Sequence, residues 1–216
     1  MIKPDILAHS SNFTIRQPSG KAVVIHATRS GVSMNPNEFQ GTLNWFKRAD
    51  VGLSSHWVIS RTGVTARVVN DDCLAVHAGE HNATHWGIEL EQGVEADGFT
   101  GPQIDALVAV CKGYVADFGV PPIHISTGTA PGFIGHEETP QGRRVGKSDP
   151  GAGFPWVGFI NALSAPVAPP TALPTVGEVA HATHYLYAAY FEKDKGRLHP
   201  FDAGVIERAL AWWKAV

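Results

Sequence analysis

Ala22-Val23-Val24-Ile25-His26-Ala27-Thr28 is the stretch from which the fold can be read. Four apolar residues in succession, three of them β-branched, suit a short strand buried on both faces, and such strands lie in sheets that carry helices. The strand is expected to end at His26, which sets that ring at a sheet edge. Elements then alternate along the chain. Glu38–Lys47 carries Phe39, Leu43 and Phe46 at helical spacing. Ser55–Ser60 alternates, Arg61-Thr62-Gly63 turns, and Val64–Val69 runs back, which is a hairpin signal. Gly87–Glu91 is a further alternating strand. Thr100–Phe118 puts Ile104, Leu107, Val108, Val110 and Val115 on one face, with Thr100 as N-cap and Gly119 as stop. Strands interleaved with helices, one pair of them in a hairpin, predict an α/β fold with a mixed central β-sheet flanked by helices.

The bulk properties agree with a globular chain. Its 216 residues allow one good-sized domain plus an appendage. A net charge of −3 gives no reason to expect nucleic acid or anionic lipid as a partner. No apolar run reaches the ~18 residues of a membrane span, so no membrane insertion is expected. Met1-Ile2-Lys3-Pro4-Asp5 lacks the form of a signal peptide, which leads to the expectation of a cytoplasmic protein that needs another route out. Cys73 and Cys111 form no metal-binding pair and read as buried free thiols. Residues 1–163 read as one folded domain, and 164–175, with Pro166, Pro169, Pro170 and Pro174, as a semi-rigid linker. Residues 176–216 read as a short C-terminal helical region, rich in Trp and Tyr, whose aromatic faces suit stacking on sugars or oligomerisation. The number of subunits stays open.

Glycine, proline and polar residues dominate Ile123–Pro150, which reads as a long loop. Long loops in compact domains are usually functional or disordered, and the presence of His136, Lys147 and Asp149 favours function. A catalytic zinc takes three protein ligands and keeps a fourth position for water. His26, His136 and Asp149 form such a set. His136 follows Gly135, where backbone can approach closely, and Asp149 precedes Pro150, which favours extended backbone. Spacing alone does not single the three out, because eleven histidines supply many combinations. His56, alternating with Trp57, reads as a core histidine; His81, His85 and His124 read as loop residues.

Five blocks in a fixed order add what spacing lacks: VVIHATRSG from Val23, SSHWVI from Ser54, VHAG from Val76, GIELE from Gly87 and GHEETPQGRRVGKSDPG from Gly135. In these blocks the chain resembles the type-2 N-acetylmuramoyl-L-alanine amidases, which share a fold with phage lysozyme-type amidases and peptidoglycan recognition proteins. The resemblance covers about residues 20 to 160. It implies that one Zn2+ ion is held by His26, His136 and Asp149. It implies that Glu89 is the general acid/base and Lys147 the group that assists the transition state. In the phage lysozyme branch a tyrosine precedes the histidine of the second block; here Ser55 stands there, which moves the proton-handling role onto Glu89. His77, in the VHAG block, is expected to line the substrate groove.

The resemblance further implies peptidoglycan as substrate and hydrolysis of the amide between N-acetylmuramic acid and L-alanine. With that substrate, the aromatic-rich C-terminal region and the lack of a signal peptide suit a phage endolysin or related lytic enzyme, held in the cytoplasm until release onto the bacterial cell wall. Two alternatives stay open at this point: a non-catalytic peptidoglycan-binding module, and a zinc peptidase on the same scaffold.

Overall fold

The computed structural model describes residues 3–128 and 130–165. The chain divides into two units, Met1–Ala165 and Pro166–Val216. The expected helices of 176–216, and the linker beyond Ala165, lie outside the described residues.

Eight strands and four α-helices follow in chain order: β1 (Ile6–Leu7), β2 (Phe13–Thr14), β3 (Ala22–Ala27), α1 (Glu38–Lys47), β4 (Trp57–Ile59), β5 (Thr65–Arg67), β6 (Leu74–Ala75), β7 (His85–Leu90), α2 (Gly101–Phe118), β8 (Gly132–Gly135), α3 (Pro140–Val145) and α4 (Trp156–Ser164). Six strands form one sheet in the order β1-β5-β4-β7-β3-β8, and β2 pairs with β6 apart from it. Only β4 and β5 run antiparallel within the sheet; its other neighbours are parallel. The sheet is therefore mixed and flanked by helices, as the sequence pattern predicts.

β3 is buried at all six positions because it lies in the interior of the sheet and both its faces are covered. Val23 and Ile25 face one layer, with Trp57, Ile59, Trp86, Ile88 and Leu90, against Leu107, Val110 and Tyr114 of α2 and Phe159 and Leu163 of α4. Val58 and Ala66 face the opposite layer, under Leu43 and Phe46 of α1. His26 alternates with Val23 and Ile25 and so shares the α1 side. Leu107 is fully buried between sheet and helix. Leu107→Ala should cost ~2–5 kcal/mol by leaving a cavity, read as a lower denaturant midpoint with unchanged slope; a loss below ~1 kcal/mol would mean the layer collapses freely.

α2 has the ends its sequence signals. Thr100 accepts the Gln103 N–H with its hydroxyl, and Gly119 stops the helix in the left-handed region at φ +66°. The hairpin is shorter than expected, because Ser60–Val64 is spent on the turn: Ser60 N–H donates to Val64 O, and Gly63 takes φ +85°. The long-loop reading of Ile123–Pro150 needs correction. It holds β8, a single 3-10 turn at His136–Glu138, and α3 capped by the Thr139 hydroxyl. β8 escapes a periodicity reading because two apolar residues between glycines make no pattern; its partner β3 makes it a strand. α4 runs to Ser164.

Candidate metal centre

The parallel strands β3, β7 and β8 bring their C-terminal ends to one edge of the sheet, the place where α/β sheets hold ligands. Register decides what meets there. His26 of β3 pairs with Glu89 of β7, and Glu89 in turn pairs with Val58 of β4. These three share a row on the α1 side. On the other flank β3 and β8 pair through Ile25 and Gly135, so His136 emerges one step beyond, beside His26. The two imidazoles meet edge to face with centroids 4.4 Å apart.

Asp149 closes the group from the segment after α3. Its carboxylate Oδ2 lies 3.3 Å from His26 Nδ1 and 3.3 Å from His136 Nδ1, and the two Nδ1 atoms are 3.0 Å apart. Zinc bonds of ~2.0–2.1 Å in a tetrahedron place ligand atoms about 3.3 Å from one another. The triangle therefore has the size that three corners of such a tetrahedron require. All three residues are buried, and they are the only group of three or more such donors that could share an ion among the described residues.

The hydrogen bonds behind the triangle show why a cation fits. His77 Nε2 lies 3.1 Å from the His85 carbonyl, which can only accept, so this nitrogen carries a proton. Burial, reinforced by the neighbouring His26 and His56 rings, pushes the His77 pKa well down, so the ring is neutral and its Nδ1 is a bare lone pair. That Nδ1 faces His26 Nε2 at 3.0 Å, and His26 Nε2 must donate. Burial first, and then His136, lower the His26 pKa to about 4, so its Nδ1 is bare in turn. His136 Nε2 lies 3.0 Å from Gln141 Oε1, which can only accept, so the ring turns its Nδ1 to the triangle. Two imidazole nitrogens and a carboxylate oxygen thus face one another, a donor set that suits a shared positive ion.

The triad sits in the floor of a cleft of about 830 Å³. All six residues singled out from sequence, His26, His77, Glu89, His136, Lys147 and Asp149, line this one cleft. Glu89 Oε2 is buried with no hydrogen-bond partner. Burial, and next the negative charge of Asp149, raise the Glu89 pKa to about 8, against the pull of Lys147. Lys147 is exposed at the rim. His77 borders the cleft, with its two ring nitrogens turned to His26 and to the His85 carbonyl. The far wall is α1 and its approaches, with Asn35, Asn37, Trp45 and Leu53.

Other histidines settle differently. His56 is fully buried; it accepts the Gly87 N–H on Nδ1 and donates from Nε2 to Cys73 O. His81 and His85 are buried, and His85 opens β7, so the loop reading fails for both. His124 stacks on Trp156 and bonds Glu138. Cys73 and Cys111 are buried and form no disulfide with one another. No helix among the described residues is long and apolar enough to cross a membrane. Sequence reasoning missed Gln141 and the His85 carbonyl. Gln141 lies in a short helix without a periodic signal, and a backbone carbonyl leaves no trace in residue type.

Comparison with known proteins extends these observations. The N-acetylmuramoyl-L-alanine amidase family model matches residues 16–152, which contain the whole triad. No curated protein matches the sequence significantly. Among solved structures, AmpD (as a selenomethionine derivative) is similar with a TM-score of 0.55 and 24% identity over 76% of this chain and 97% of its own. The amidase LysC from Clostridium intestinale URNW gives 0.54 and 16% over 77% and 100%. The endolysin amidase LysCS from the same organism gives 0.53 and 15% over 76% and 99%. At these identities the structural likeness speaks for the fold, while the family match covers well over half the sequence. The chain belongs to the N-acetylmuramoyl-L-alanine amidase family, and peptidoglycan is its class of substrate.

Proposed function

We propose that the chain is a zinc-dependent amidase that cleaves the amide between the lactyl group of N-acetylmuramic acid and L-alanine, in the setting of an endolysin. One observation carries the reading: the Nδ1 atoms of His26 and His136 and the Asp149 carboxylate converge at tetrahedral spacing in a cleft floor. His26, His136 and Asp149 would hold the ion. When bound, zinc supplies a Lewis acid that brings the pKa of water toward ~7 and polarises an amide carbonyl.

The chain's own residues would do the rest. Glu89 takes the proton of the attacking water and delivers it to the leaving alanine nitrogen as the C–O bond forms and the C–N bond breaks. Its place beside His26 in the sheet register supports that role. An elevated pKa suits a group that must both take and return a proton near neutral pH. Lys147, at the rim, faces the charge that develops on the carbonyl oxygen. Lys147→Ala should lower turnover by ~10²–10³-fold with zinc content unchanged; unchanged turnover would take Lys147 out of the reaction.

The endolysin setting draws on the likeness to LysCS, itself an endolysin. Residues 1–163 are proposed as the catalytic domain. Residues 176–216 are proposed, from sequence alone, as an appended wall-binding or oligomerising segment.

Mass analysis of fragments released from purified cell walls tests the reaction. Free muramic carboxyls and new N-terminal alanine are expected, and a chelator should prevent their release. Cuts within the stem peptide would favour a peptidase; tight wall binding without any release would favour a binding module.

A further inference from the structure

Resting on that zinc reading, we infer that His77 is a positioning residue that fixes the tautomer of His26 and so turns the His26 Nδ1 lone pair toward the metal. Hydrogen-bond direction requires it. A backbone carbonyl only accepts, and His85 O lies 3.1 Å from His77 Nε2. A His77 ring that carries one proton therefore holds it at Nε2. Its Nδ1 must accept, and its partner at 3.0 Å is His26 Nε2. The chain of donors ends on His26, whose proton is drawn to the side away from the triad.

Without this acceptor the balance reverses. Asp149 Oδ2, an anionic oxygen 3.3 Å from His26 Nδ1, would attract the single ring proton. An Nδ1–H there would occupy the lone pair that a metal needs. His77 thus decides between a ligand and a hydrogen-bond donor at the same atom.

The seat of the His77 ring is built for it. A Cβ on Gly87 would fall 2.5 Å from His77 Cγ and 2.6 Å from its Nδ1, so the ring lies against bare backbone of β7. That backbone is pinned from the other side, where Gly87 N–H donates to His56 Nδ1 at 2.9 Å. The His77 main chain is held by Asn82, whose Oδ1 accepts the His77 N–H at 3.0 Å. Packing alone would explain a flat side chain in this place. It would not require both ring nitrogens to lie at hydrogen-bond distance from a partner, as they do.

Zinc affinity of the full chain, measured by competition with a chromogenic chelator, tests the inference. His77→Phe keeps a flat ring but removes the acceptor, and zinc should bind ~10–100-fold more weakly while the metal-free protein keeps its circular dichroism. His77→Gln, which restores an acceptor oxygen, should recover most of that loss. Gly87→Ala, which displaces the ring, should weaken zinc as His77→Phe does. A folded His77→Phe with wild-type zinc affinity overturns the inference and leaves the zinc reading intact. A wild-type chain that takes no zinc overturns both. Should His77→Phe fail to fold, long-range 1H–15N spectra of the metal-free wild type decide. The His26 proton is expected on Nε2, and a proton on Nδ1 overturns the inference.

Discussion

His136→Ala should abolish zinc binding and wall hydrolysis together. The side chain is 3% exposed and supplies one corner of the triad, and the two remaining ligands cannot define a three-point site. A Lewis acid contributes several kcal/mol of transition-state stabilisation, and each ~1.36 kcal/mol is tenfold in rate, so turnover should fall by at least ~10³-fold. The fold should survive, because β8 is held to β3 by backbone pairing that ends before His136. Ligand binding raises stability by mass action, so zinc should raise the melting temperature of the wild type and leave that of His136→Ala unmoved. Retained lysis by a folded, metal-free variant would refute the zinc mechanism.

Glu89→Gln should separate chemistry from metal binding. The amide is isosteric with the acid and leaves the three ligands in place. Zinc content should be unchanged while turnover drops by ~10²–10⁴-fold. The same variant has a second signature in the metal-free protein. The folded Glu89 pKa of about 8 lies above its ordinary 4.5, because burial disfavours the charged form. Between those values the native state keeps a proton that the unfolded state has lost, so wild-type stability declines as pH rises through this window. Glutamine has no such slope. Metal-free Glu89→Gln should therefore match the wild type near pH ~4 and exceed it by on the order of a few kcal/mol near pH ~8. Denaturant unfolding at the two pH values checks this; a variant less stable than wild type at the higher pH would show that the carboxylate is stabilised where it lies.

How far the fold could be read from the sequence depends on which interactions are local. α2 could be read end to end because its cap, its apolar face and its glycine stop all lie within the segment itself. α1 has the expected bounds through its apolar face alone, with Leu43 and Phe46 turned inward. β3 announced itself by burial on both faces and runs one residue past its expected end, to Ala27. By contrast β8 is a strand because β3 pairs with it, and the two-residue strands β1, β2 and β6 exist only through their partners.

The candidate site divides in the same way. Residue types suited to a zinc site were visible, yet His26 and His136 are 110 positions apart and spacing could not join them. Ordered sequence blocks point to their meeting; parallel register brings them together in the molecule. The sequence placed His77 on the groove but not in the chain of hydrogen bonds behind His26. Its decisive partners, a main-chain carbonyl and another ring, carry no mark in a one-dimensional pattern.

Metal content paired with turnover bears most directly on the central claim. The active protein should carry one zinc per chain. Removing it should stop the release of muramic acid from L-alanine, and one equivalent of zinc should restore it. Full hydrolysis by a chain stripped of metal, or a zinc ion bound without His26, His136 and Asp149, would contradict the account.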